Sequence, residues 1–192
     1  MQRLSLLLIT LMLTSVLGLP VAAQANGPMY TAYNMWYEAP HQMSAINYKR
    51  GSILPAGTLV KNIAIYTEEF SPHKYISFRR VSDNQSFKVH FRSKFHPGKT
   101  IEDYRQMMFS RQSFQQQTAN MSEREINAII RGVLVTGMSK EAVRLSYGVP
   151  PQHRTPTLDA NIWRYWTSRM VSKDVCFDMH GRTIRCNTSE VL

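Results

Sequence analysis

The chain is thinly supplied with the residues that build catalytic or metal centres. It carries two cysteines and six histidines in 192 residues. Cys176 and Cys186 form no C-x-x-C pair, and His41, His73, His90, His96, His153 and His180 are scattered, with no two at ligand spacing on a helix. No metal site is expected from that pattern. Acids are outnumbered, 13 against 23 basic residues. Glu68, Glu69 and Asp83 offer carboxylates without a second element to define a cleft, and Cys176 with His153 or His180 could be written as nucleophile and base only without a surrounding motif. We therefore expect no enzyme activity, no catalytic residue and no cofactor. Beyond residue 25 the chain also lacks the run of about 20 apolar residues that a membrane helix needs.

What is present points to an exported globular protein. An apolar fraction of 43% is enough for a core and excludes a disordered chain. At the start, Arg3 precedes the apolar stretch Leu4 to Leu17, and Ala23-Gln24-Ala25 has the small-x-small form of a cleavage site, so residues 1–25 read as a signal peptide. No cysteine precedes the cleavage point to accept a lipid, and the mature chain is expected in the periplasm, peripheral at the outer membrane and not lipid-anchored. Removing the leader leaves 22 basic residues against 13 acidic ones, a net charge of +9. Outside the cytosol such a charge meets anionic lipid headgroups, wall polymers or acidic proteins; nucleic acid is not expected. The oxidising compartment also suggests a disulfide between Cys176 and Cys186 across a His180-Gly181 turn. A three-residue loop at His180, Gly181 and Arg182 would set the two cysteines opposite each other, whereas a two-residue loop would not.

Residues 26–118 read as a β-rich module with a short helix. Tyr30, Tyr33, Trp36, Tyr37 and Tyr48 are expected to cover a neighbouring sheet rather than to grip a ligand. From Gly51 to Phe95 the pattern is a small antiparallel sheet, with turns at Pro55-Ala56-Gly57 and Ser82-Asp83-Asn84. Its clearest strand alternates Phe87, Val89 and Phe91 with Lys88, His90 and Arg92. One face is thus apolar and the other basic. Lys88, His90, Arg92 and Lys94, with Arg79 or Arg80 beside them, are a candidate contact surface, although a merely solvated face would show the same alternation. The RGSILPAGTLVKN run is similar to the opening of SH3-like bacterial modules. At Lys99-Thr100 the period changes to that of a helix, capped by Thr100 and carrying Ile101, Tyr104, Met107 and Met108 on one side. Arg111 to Ala119 is polar and reads as a linker.

Residues 119–192 read as two helices and three strands. The capping box Ser122/Glu125 starts a helix whose apolar stripe is Ile126, Ile129 and Ile130, ended by Gly132. A second helix starts at the N-cap Ser139, with Gly137 permitting the entry turn and Met138 placed to staple onto Val143. Gly148, Pro150 and Pro151 stop it. Trp163 and Tyr165 then share one face of a strand and Arg164 and Trp166 the other, and Met170 to Phe177 and Arg182 to Cys186 supply two more strands. Two helices on an antiparallel sheet make a small α+β layer.

The stretch GMSKEAVRLSYGVPPQ followed by Trp163-x-Tyr165 resembles the SmpA/OmlA, or BamE-like, family of outer-membrane protein assembly components. The likeness covers residues 121–187 and is carried by Gly137, Met138, Val143, Gly148, Pro150, Trp163 and Tyr165. It implies an ααβββ domain and a non-enzymatic docking or scaffold factor in envelope biogenesis. The partners it implies are an envelope protein, barrel-assembly subunits first among the candidates, and an anionic lipid surface. The chain departs from the family in lacking the lipid-acceptor cysteine and in carrying residues 26–118. Arg154, Arg164 and Trp166 join the candidate contact surface on this side. The alternative function is an SH3-like binder of cell-wall glycan or peptide.

Overall fold

The computed structural model describes residues 27–67 and 73–186. The expected signal peptide and the Glu68-Glu69 pair lie outside the described residues. Among the described residues no helix is long and apolar enough to cross a membrane.

The fold is mixed α+β. In chain order it runs β1 (Met29–Thr31), β2 (Met35–Tyr37), a 3-10 turn (Pro40–Gln42), β3 (Met43–Ser44), β4 (Ser52–Leu54), β5 (Leu59–Thr67), β6 (Lys74–Arg80), β7 (Ser86–Phe91) and a second 3-10 turn (Ser93–Phe95). There follow α1 (Ile101–Met108), β8 (Phe109–Ser110), α2 (Phe114–Thr118), α3 (Glu123–Arg131), α4 (Lys140–Tyr147), β9 (Ile162–Trp166), β10 (Ser172–Phe177) and β11 (Thr183–Ile184). Six strands form one sheet in the order β3-β7-β6-β5-β1-β8, antiparallel except for the β3–β7 pair. β2 pairs with β4, and β11-β10-β9 form an antiparallel sheet of three.

The two-residue period of β7 does what it predicts. Phe87, Val89 and Phe91 are buried, while Lys88 and His90 stand half-buried on the other face. α1 covers the inner face with Ile101, Tyr104 and Met108, its first turn closed by a Thr100/Asp103 capping box. Phe78, Phe87, Ile76 and Tyr33 fill the core beneath it. A second core packs Ile129 of α3 and Val143 and Leu145 of α4 on Trp163, Tyr165, Val175 and Phe177 of the smaller sheet. The order helix, helix, strand, strand, strand is thus present, and Met138 and Val143 are both fully buried in it.

Several sequence expectations need correction. Arg111 to Ala119 is not a plain linker: Ser113 and Gln116 form a capping box that starts α2, and Phe114 packs against the second core. Ile130 is 60% exposed, whereas Glu125, Ala128 and Ile129 are buried. The buried face of α3 is turned because the Glu125 carboxylate accepts the Ser139 N–H at 2.9 Å and faces Arg182 at 3.1 Å. The last hairpin turns one residue earlier than the His180-Gly181-Arg182 loop. Phe177 pairs with Thr183, so Cys176 lies opposite Ile184 rather than Cys186. Asp178 sets this register by accepting the backbone N–H groups of His180 and Arg182, both at 2.9 Å, with Gly181 at φ +69° between them. Cys176 and Cys186 are nonetheless disulfide-bonded, with Cα atoms 5.3 Å apart, because the chain after β11 folds back toward β10. β10 and β11 are also shorter than the expected spans from Met170 and to Cys186.

The two halves interlock. Val149 enters the first core and Ala56 the second. At their junction Gly148 ends α4 with φ +81° and ψ −173°, a region open only to glycine, and a Cβ there would stand 2.7 Å from Asn47 Nδ2 and 2.9 Å from Tyr33 Cδ2. Gly148→Ala is expected to lower the unfolding free energy in urea by about 3 kcal/mol, from backbone strain and clash together.

Candidate contact site

A polar seam joins the N-terminal segment to the C-terminal helices. Asn34 donates from Nδ2 to the Ile129 carbonyl at 2.6 Å and accepts the Ala56 N–H at 2.8 Å. Asn47 accepts the Trp36 N–H at 2.8 Å and donates to the carbonyls of Asn34 and Tyr147 at 3.0 and 3.2 Å. Lys49 donates to the Asn47 carbonyl at 2.8 Å and to the Tyr147 carbonyl at the C-terminal end of α4, and its ammonium lies 4.3 Å from the Trp36 ring centre. Tyr147 and Tyr165 complete the enclosure at 5.2 and 5.3 Å. Burial holds the Lys49 pKa well below the usual lysine range. Carbonyls, the helix dipole and ring faces stabilise the cation in place of a carboxylate.

This seam fixes one wall of a cleft of about 930 Å³. The wall runs from Trp36 through the first 3-10 turn and β3 to Arg50. His90 and Arg92 of β7 with Phe95 line a second side, and Ser168, Arg169 and Met170 in the β9–β10 turn form the opposite lip. Arg50 is balanced by Glu38 at 3.0 Å, with both side chains exposed. Arg92 and Arg169 have no ion pair with a described acid. Both act on the Tyr48 hydroxyl: burial raises its pKa, and the charges of Arg169 and Arg92 partly hold it down. A second cavity of about 590 Å³ adjoins, lined by Lys74, Arg92, Lys94, Lys99 and the start of α1. Arg92 lines both.

The expected contact residues separate accordingly. His90, Arg92 and Lys94 border the cavities. His90 places Nε2 3.1 Å from the His41 carbonyl. Lys88 lies outside them, 4.8 Å from the ring centre of Tyr75, which itself stacks on Tyr66. Arg164 forms two hydrogen bonds of 2.7 Å to Asp174, so its charge is matched within the sheet. Trp166 stacks on His153, with ring centres 6.2 Å apart, and Arg154 is exposed on the loop before β9. Of the early aromatics, Tyr33 and Trp36 are buried, and Tyr30, Tyr37 and Tyr48 are half-buried. Gly137, Met138, Val143, Gly148, Pro150, Trp163 and Tyr165 all serve packing or turns: Tyr165 donates to the Gly148 carbonyl at 2.8 Å, and Gly137 donates through its N–H to Thr183 at 2.8 Å. The residues not singled out from sequence are Arg50, Arg169 and Lys49, because only the folded register brings the β9–β10 turn opposite residues 36–50. A basic residue in that turn, Ser168-Arg169-Met170, is the sole local signal.

Behind the cleft His96 is fully buried between Phe91 and Tyr104, with ring centres 5.5 and 4.8 Å away. Among the described residues neither ring nitrogen has a hydrogen-bond partner. Burial, and next the charge of His153, lower its pKa to about 4. The unfolded chain binds this proton near pH 6.5 and the folded chain only near 4, so stability falls as pH drops through that window. The loss by pH 4 is about 3 kcal/mol. His96→Phe is expected to flatten the pH dependence of urea unfolding between 6.5 and 4. An unchanged slope would show that His96 takes up its proton without unfolding.

Among the described residues no group of three or more His, Cys, Asp or Glu could hold a metal ion. Compared with family models, curated proteins and solved structures, the chain has no match.

Proposed function

We propose that the protein is an exported, non-enzymatic docking factor of the bacterial envelope, acting in outer-membrane protein assembly or envelope integrity. The observation that carries this reading is the basic cleft between the N-terminal segment and the β9–β10 turn, in which Arg92 and Arg169 form no ion pair with an acid among the described residues. Unmatched guanidinium groups in a concavity suit recognition of an anionic surface or partner, since each can give two directed hydrogen bonds to a carboxylate or phosphate. The C-terminal helix pair and three-stranded sheet support the BamE-like resemblance at the level of element order. The SH3-like reading of residues 51–95 stays an analogy of strand pattern.

On this reading the mature chain sits in the periplasm, peripheral at the outer membrane, and meets barrel-assembly subunits or another envelope protein beside an anionic lipid surface. Affinity purification from cross-linked envelope is expected to recover such subunits together with the chain. Recovery of none, with the chain absent from the membrane fraction, would overturn the assignment.

A further inference from the structure

The two basic cavities are not separate patches. Arg92 lines both, and so joins Arg50 and Arg169 of the large cleft to a row of cations continued by Lys74, Lys94 and Lys99 in the second cavity, where Glu102 also stands on the lining. Apart from the Arg50–Glu38 pair, no ion pair ties these side chains to a described acid. A single small anion needs one such pocket. Repeated positive charge along two joined concavities suits a chain that carries negative charge at intervals.

Three observations select among polyanions. The row lies in concavities, whereas a bilayer is flat and would meet cations outside them, such as Lys88, which lines neither cavity and stands over Tyr75. A single-stranded nucleic acid binds by stacking bases on open aromatic faces. Of the rings lining the large cleft, Trp36 is buried, Phe95 packs with His153 at 5.3 Å and Lys94 at 4.9 Å, and Tyr37 packs with Phe87 at 5.4 Å, which leaves the half-buried Tyr48 as a single ring where a strand of bases needs several. The large cleft also presents hydroxyl donors. Ser44 Oγ accepts the Ile46 N–H at 3.2 Å, and Ser168 Oγ accepts the N–H groups of Met170 and Val171 at 3.3 and 3.2 Å. Each hydroxyl proton is therefore free to be offered outward, as is the amide of Gln42 nearby. Cations interspersed with hydroxyl and amide donors fit a ligand rich in both carboxylate and hydroxyl oxygens.

We propose that the two cavities joined at Arg92 form one binding track for an acidic polysaccharide, a linear sugar chain with carboxylates on successive units. This deepens the docking reading by naming what the basic surface holds. The guanidinium groups of Arg92 and Arg169 pair with carboxylates in the large cleft, the serine hydroxyls and Gln42 bond the sugar oxygens between them, and Lys74, Lys94 and Lys99 hold the next charged units.

The test is calorimetric titration of the mature chain with a galacturonic acid hexamer at two salt concentrations. A neutral glucose hexamer, inorganic polyphosphate and phosphatidylglycerol vesicles serve as the other arms. The acidic hexamer is expected to bind, more weakly at higher salt, with affinity reduced about tenfold by Arg92→Gln and further by adding Arg169→Gln. Lys88→Gln is expected to leave it unchanged. Absence of hexamer binding, equal binding of the neutral hexamer, tighter binding of polyphosphate, or an Arg92→Gln variant that melts like the wild type and binds as well would each overturn the proposal. So would binding confined to vesicles and lost in Lys88→Gln. Cross-linking purification with the Arg92→Gln variant separates the two claims, because envelope partners recovered without glycan binding leave the docking reading standing.

Discussion

The structure depends on how the end of α4 is satisfied. A helix leaves its last carbonyls without partners, and here the part-buried Tyr147 carbonyl lies at the junction of the two halves. Asn47 and Lys49 reach it from the N-terminal segment, and the half-buried Lys49 is held there by the three aromatic rings and two carbonyls around its ammonium. Neither side of the junction is complete alone. Without the segment, the Tyr147 carbonyl loses its donors; without α4 and β9, Lys49 loses one of its two acceptors and two of its rings.

The same constraint places the binding surface. Tyr48 lies between Asn47 and Lys49, and Arg50 follows Lys49 directly, so the residues that lock the junction hand their neighbours to the cleft. Lys49 also donates its backbone N–H to Trp166 at 3.4 Å, which ties residue 49 to the strand leading into the Ser168-Arg169-Met170 turn. The distance between the two lips of the cleft is therefore set by the seam. Residues 27–50, irregular in sequence, supply three short strands to the sheets and the wall of the site.

Local signals in the sequence carried the elements well and their assembly poorly. The alternation in β7, the cap at Thr100, the capping box at Ser122 and the N-cap at Ser139 all depend on neighbours within four residues, and each forms as its pattern implies. The disulfide too was legible, from two cysteines flanking a turn. Its register was not, because Asp178 captures two backbone amides and moves the loop by one residue. Ile130 misled because Glu125, read only as half of a capping box, also accepts from Ser139 and pairs with Arg182, far along the chain. Half of the basic face on β7 was visible as His90, Arg92 and Lys94. Arg50 and Arg169 were not, since they join it only when residues 36–50 and the β9–β10 turn close over it.

If the seam makes one unit of the two cores, they must open together. Amide hydrogen exchange in increasing sub-denaturing urea measures this directly, through Ile76 and Val89 in the larger sheet and Trp163 and Val175 in the smaller. The account predicts that all four amides converge on one opening free energy with the same urea dependence. Exchange of Trp163 and Val175 through a separate, lower-energy opening while Ile76 and Val89 stay protected would contradict it.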